Sequence, residues 1–329
     1  EITFASKLTQ NAFKSITIPF IEIRKVFYGI SAVLIVVGLI SMATLNFSLG
    51  VEFKGGRSYV VQLESGKRNT AEIEHALRAV YGTTPEVKTY GNENVKIITD
   101  YQINEKGAQV DSIVERKLFE GLQPMLPEGT DFNTFLQENV RQSDMVGPTI
   151  AADIMYNVVI SVILALISIF LYIFLRFRNW QYGLGAVIAL TYDVLVVLGA
   201  FSLLWKVMPF SMEIGQSFIA ALLTIIGYSI NDTVIIFDRI REVSAEYPKR
   251  AKLRLFNEGV NSTISRTIIT STSTLLVLLA ILFFGGESIQ GFVFAITIGV
   301  VSGTYSSLCI AAPVTYDLIQ KNKPEEIDE

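Results

Sequence analysis

Six apolar stretches, each about long enough to cross a bilayer, constrain this chain more than any other feature. They cover residues 26–45, 154–175, 180–205, 214–237, 267–286 and 288–316, and a helix needs roughly 20 apolar residues to cover the hydrocarbon core. That core offers no water to backbone N–H and C=O groups, so runs this continuous must satisfy themselves as helices. Half of the 329 residues are hydrophobic and 18% are charged, with a mean hydropathy of +0.44. The composition excludes an ordinary soluble domain, and the predicted fold class is an α-helical polytopic membrane protein with six spans.

Lysine and arginine near the span ends set the orientation. One side collects Lys7, Lys14, Arg24 and Lys25, then Arg176 and Arg178, then Arg239, Arg241, Lys249, Arg250, Lys252 and Arg254, and finally Lys321 and Lys323, whereas the opposite short loops hold Lys206 alone. Both termini are therefore expected in the cytoplasm. The predicted organisation is a cytoplasmic segment 1–25, a first span 26–49, an external (periplasmic-side) domain 50–148, spans two to six over 149–316 with a basic cytoplasmic loop 239–262, and a cytoplasmic tail 317–329. Residues 249–260, following Pro248, are basic and amphipathic and are expected to lie on the membrane surface. The sequence does not start with Met, and residues 1–25 are polar and basic rather than a signal peptide, so the start reads as a cut or an internal boundary of a longer polypeptide.

The external block alternates its periodicities. Residues 57–64 (RSYVVQLE) read as a strand and 70–81 as a helix capped by Thr70. Residues 86–90 and 95–101 read as strands joined by the turn GNEN, 109–122 as a second helix, and 132–146 as a last extended segment. The order β-α-β-β-α-β predicts an α+β, ferredoxin-like domain between spans one and two.

Two acids interrupt the apolar runs. Asp232 stands in the fourth, about 8 Å inside Phe237 at 1.5 Å per residue, and an ionised carboxylate in hydrocarbon costs at least a few kcal/mol. Stepping back by four gives Tyr228, Thr224, Ala220 and Gln216, a partly polar stripe that Asn231 and Ser229 widen. Such an acid either is paired for packing or binds and releases an ion. Arg266, at the entrance of the fifth span with Thr270, Ser273 and Thr274 on its stripe, is the natural partner because arginine stays charged; snorkelling to the interface is the alternative. Asp193, near the middle of the third span beside Thr191 and Tyr192, suits a relay or a structural hydrogen bond. Asp153 and Asp238 read as boundary residues and His75 as a solvated surface histidine, while Gly299 and Gly303 form a GxxxG suited to close helix packing.

Conventional reaction chemistry is missing. There is one histidine and one cysteine, so no multi-histidine metal site or internal disulfide forms, no hydrolytic constellation appears, and no GxxxxGK[ST] supports nucleotide use. Neither an enzyme activity nor a cofactor is expected, and no nucleic-acid partner. An ion gradient is the expected energy source.

Several strings converge on one family: GVEFKGG at 50–56, VGPTI at 146–150, TYDVLVVLG at 191–199, GYSINDTVIIFDRIRE at 227–242, SRTIITS at 265–271, FGGESIQGF from 284 and GTYSS at 303–307. In this order they resemble SecF, the smaller half of the SecD–SecF accessory complex of bacterial protein export. Glu52 and Lys54 depart from that family's usual Asp and small or polar residue. The resemblance implies a six-span half of an RND-type transporter fold in the bacterial cytoplasmic (inner) membrane, which pairs with the six spans of SecD, fused upstream or separate. It implies work beside the SecYEG translocon and YajC on translocating preprotein at the expense of the proton-motive force, and carries the proton-binding role onto Asp232. Arg266 and Asp193 join it as coupling residues, with Asn231, Tyr228, Thr224 and Thr270 as the supporting polar face. The competing functions are an RND-type exporter of small molecules or lipids and a structural scaffold of the translocon.

Overall fold

The computed structural model describes residues 17–64, 69–91, 93–105 and 107–322. Lys7, Lys14, Lys323, the tail from 323 and Asn92 of the GNEN turn lie outside the described residues. Six helical segments are long and apolar enough to cross a membrane, one for each predicted span. They are α1 (Arg24–Leu45), α6 (Pro148–Phe177), α7 (Trp180–Leu204), α8 (Gln216–Glu246), α9 (Lys252–Phe284), and a last one made of α10 (Glu287–Ser306), a π-helical turn Ser307–Ala311 and α11 (Ala312–Asn322).

Where the helices approach closely, glycine replaces a side chain. Gly38 of α1 and Gly199 of α7 face each other so tightly that a Cβ on Gly199 would sit 2.7 Å from the Gly38 Cα. Gly299 and Gly303 let α10 lie against α8, where added Cβ atoms would meet Ile225 at 2.3 Å and Ser229 at 3.0 Å. The expected packing role of the GxxxG holds.

Helices α8 and α9 run past their predicted ends, with a break at 247–251 around Pro248. Residues 252–260 are thus not a separate surface helix but the first turns of α9. Leu255, Phe256, Gly259 and Val260 are buried there, and Gly259 allows contact with Ile240 of α8. Asn257 and Asn261 accept the backbone N–H groups of Ile21 and Ile18 at 3.0 and 2.8 Å. The amphipathic face that suggested a lipid surface is covered by protein instead.

Between α1 and α6 stand α2 (Val51–Lys54), β1 (Gly56–Gln62), α3 (Thr70–Tyr81), β2 (Glu86–Tyr90), β3 (Asn94–Thr99), α4 (Ala108–Leu122), a short α5 (Phe132–Thr134) and β4 (Val140–Val146). The sheet order is β2-β3-β1-β4, with every pair antiparallel, which is the ferredoxin-like arrangement expected. Tyr59, Val61, Ile73, Leu77, Ile97, Leu118 and Leu122 form the core between one sheet face and the helices α3 and α4. Two local expectations change. Asn69, not Thr70, caps α3, accepting from Ala71 N–H at 3.1 Å. Residues 132–139 are helical rather than extended, because Asp131 caps them through Thr134 N–H at 3.0 Å and Phe132 and Phe135 turn onto Phe119. His75 is exposed on α3, as expected.

Replacing Gly199 by valine should push α1 from α7, a core overpacking that costs on the order of 1–3 kcal/mol. Thermal unfolding in detergent, followed by size-exclusion chromatography, should show a lowered midpoint.

Candidate functional site

Asp193 lies fully buried where α7, α8 and α10 meet. Its Oδ1 accepts the Ser302 hydroxyl at 2.6 Å, and its Oδ2 accepts those of Ser229 at 2.7 Å and Ser306 at 2.8 Å. Ser302 and Ser306 are four apart and share one face of α10, while the glycine at 303 admits Ser229 of α8. The π turn follows at once, and the extra residue in that turn aims Ser307 at α8. Ser307 shares a 2.9 Å hydrogen bond with Thr233 and donates to the Ser229 carbonyl at 3.3 Å. One carboxylate therefore ties three spans through hydroxyl donors.

Asp232, on the same helix as Ser229, is 4% exposed, and its Oδ2 is buried with no hydrogen-bond partner. Buried carboxylate oxygens are nearly always paired, so this one asks for a reason. Arg266 is the charged group that acts on Asp232 electrostatically, yet among the described residues no ion pair within 4 Å reaches either. Arg266 is exposed and opens onto a cavity of about 780 Å³ shared with Arg176, Asp238, Arg239, Arg241 and Glu242. Around it Asp238 pairs with Arg176 at 3.2 Å and Arg241 at 2.8 Å, and Glu242 with Arg239 at 2.7 Å. These pairs are exposed and contribute little individually, but they occupy neighbouring arginines and leave Arg266 apart from them. Asp238 is thus in a charge network rather than a plain boundary residue.

The predicted polar face does not converge on Asp232. The Thr224 hydroxyl donates to its own helix at Ala220 O, 2.8 Å, and that of Thr270 to Arg266 O and Thr267 O, both 3.0 Å. Tyr228 reaches across to Thr274 on α9 at 3.4 Å, and Asn231 is exposed. These residues form a polar stripe on the outer face of α8 and α9. Missing from the sequence reading were Ser302, Ser306, Ser307 and Thr233. The pairs 229/233 and 302/306, each four apart in an apolar helix, carried the signal, but Gly299 and Gly303 beside the second pair drew the reading toward packing.

Asp193→Leu should leave three buried hydroxyls without their acceptor and cost on the order of 3 kcal/mol, with Asp193→Asn costing less because its amide oxygen still accepts. Thermal unfolding of the detergent-solubilised protein would show a graded loss, and equal midpoints for the two variants would contradict the clamp.

The protein is similar to known ones along nearly its whole length. Residues 129–321 match the family described as protein export membrane protein SecD/SecF, C-terminal. The chain is 44% identical over 310 residues to the protein translocase subunit SecF of Rhodothermus marinus, covering 93% of this chain and 94% of that one. It is 33% identical to the protein translocase subunit SecDF of Brucella abortus, spanning 94% of this chain and 38% of that longer one. The crystal structure of SecDF from Thermus thermophilus, a translocon-associated membrane protein, superposes with a TM-score of 0.74 at 28% identity, over 94% of this chain and 39% of that one. With these matches along nearly its whole length, and with six spans and a small antiparallel sheet domain, the chain belongs to the SecF protein translocase subunits.

Proposed function

We propose that this subunit uses the proton-motive force to assist the late stage of protein translocation, with Asp232 as the group that takes up and releases the proton. The observation that carries this reading is the unpartnered buried oxygen of Asp232 beside an arginine that has no ion-pair partner within 4 Å among the described residues. A carboxylate held this way has a reason to take a proton, and Arg266 gives it a reason to lose one without competing for it. Asp193, by contrast, already has three donors and acts as the clamp that keeps α7, α8 and α10 together while Asp232 changes state.

The exposed polar stripe of α8 and α9 supports a second half against this face. SecD is the partner of this chain's relatives, where the two are fused in one polypeptide, and its six spans supply the matching surface. SecYEG, YajC and the translocating preprotein complete the working assembly. In this reading the protein sits in the bacterial cytoplasmic membrane, its termini and the Arg266 cavity face the cytoplasm, and the sheet domain faces outward.

The energetics suit such a role. One charge moved through 100 mV is worth about 2.3 kcal/mol, enough to shift a two-state equilibrium roughly 50-fold. Asp232→Asn should assemble normally, yet lose up to about 50-fold in export stimulation, the gradient's whole contribution. Its export rate in inverted membrane vesicles should be the same with and without a proton gradient, whereas the wild type responds. Arg266→Ala should behave alike and Arg266→Lys retain part of the response. Undiminished, gradient-dependent export by Asp232→Asn would leave the scaffold reading in its place.

A further inference from the structure

The sheet domain rests on the membrane half through one nearly buried acid. Glu213 lies in the loop between α7 and α8, three residues before α8 begins. It faces Lys88 of β2 and Lys96 of β3, which stand directly opposite each other in the antiparallel register. Lys88 Nζ is 3.4 Å from one Glu213 oxygen, and Lys96 bonds the other. The Glu213 side chain is 9% exposed and each lysine 18%, so salt screens the cluster less than a surface pair. Lys88 also reaches Ser48 and lies 2.7 Å from Glu86, which pairs with Lys54 at 3.0 Å. Burial works to raise the Glu86 carboxyl, but the bonds from Lys88 and Lys54 outweigh it and hold the group below the usual carboxylate range.

The backbone repeats the join in lighter form. Leu49 and Ile214 form an isolated parallel bridge, with Gly50 N–H donating to Ile214 O at 2.9 Å and Ile214 N–H to Ser48 O at 2.8 Å. The chain then enters the sheet through Gly55 and Gly56, at φ of 73° and 138°, which are left-handed values suited to a pivot. Beside the cluster lies a polar cavity of about 280 Å³ between the sheet and the start of α8, with Glu52, Asp144, Lys96, Glu213 and Gln216 in its wall. The sheet is therefore held at one side and has space at the other.

We propose that Glu213 is a clasp through which α8 holds and releases the sheet domain: engaged on Lys88 and Lys96 as seen here, and opening into the adjoining cavity when α8 moves. Helix α8 is continuous from Gln216 to Glu246, so Asp232 sits on the same rod about 24 Å from its start, at 1.5 Å per residue. A displacement of that rod shifts Glu213 against the two strands, and a buried ion cluster responds as two discrete arrangements rather than as a spring. The link to Asp232 rests on the proton reading above; the clasp itself does not.

The test measures the sheet's position in the purified SecD–SecF complex in nanodiscs, with a cysteine-free partner half. Nitroxides at His75→Cys on α3 and at Val207→Cys in the α7–α8 loop are read by double electron–electron resonance, Cys309 being buried. The unmutated clasp should give one narrow distance. Glu213→Gln should raise the ratio of open to closed distances by at least about tenfold, less than for a fully buried pair because both lysines keep some contact with solvent. Glu213→Lys with Lys96→Glu and Lys88→Gln, the last kept neutral beside Glu86, should restore the narrow distance. Should Glu213→Gln fail to assemble, the charge-reversed variant alone decides, a narrow distance supporting the clasp and a broad one overturning it. Asp232→Asn should move the distance when the clasp is intact and not when Glu213 is Gln. An unchanged narrow distance in Glu213→Gln overturns the proposal, as does an Asp232→Asn shift that is equal in both backgrounds. Failure of the proton reading shows separately, as normal export by Asp232→Asn.

Discussion

The membrane half depends on a carboxylate that has everything it needs. Asp193 accepts three serine hydroxyls from two other spans, and in hydrocarbon the alternative to those bonds is an unsatisfied group on each of four residues. The same contacts explain why α8 and α10 come so close. A serine at 229 and a glycine at 303 are small enough for the helices to touch, and the π turn at Ser307–Ala311 adds a further hydroxyl bond to α8. Without the clamp, these small residues would leave polar atoms and voids where larger apolar ones could have packed.

Asp232 is close in sequence to this clamp and opposite in character. It is buried without a partner for Oδ2, although Ser229 and Thr233 beside it are bonded to other spans, Thr224 is bonded to its own backbone and Asn231 faces outward. The unsatisfied oxygen and the exposed Arg266 make sense in an assembly with a second half, where a surface of this chain becomes an interior. A satisfied acid holds the helices, and the unsatisfied one is the group proposed to take up and release the proton.

Helix α8 joins the two ends of the molecule. It carries Ser229 and Asp232 in its middle, leads at its N-terminal end to Glu213 and the lysines of β2 and β3, and at its other end packs Ile240 against Gly259 of α9. A long helix transmits displacement along its axis with little loss, because each turn is bonded to the next. In the proposed clasp, the sheet domain, with its own core, moves as one body on the glycines at 55 and 56.

How much of this was legible beforehand follows from the range of each interaction. The six spans were readable because hydrocarbon imposes one rule, about 20 apolar residues per crossing, on every segment independently. The β-α-β-β-α-β order was readable from local periodicity, and Asp232 and Arg266 from the cost of charge in an apolar run. Helical turns at 132–139 escaped because an Asp131 cap and the Phe119 contacts outweighed an extended-looking pattern. The surface helix expected at 249–260 turned out to be part of α9 because its apolar face meets protein, which periodicity cannot tell from lipid. The hydroxyl ligands of Asp193 and the lysines facing Glu213 come from positions 36 to 125 residues away, and a serine or lysine carries no mark of its distant partner. By itself, then, the sequence determined which segments cross the membrane and which charges are costly there, since those depend on each segment and its solvent; which of the two acids is satisfied, and what the sheet domain is fastened to, was decided by the tertiary structure alone, since those depend on which distant helices meet.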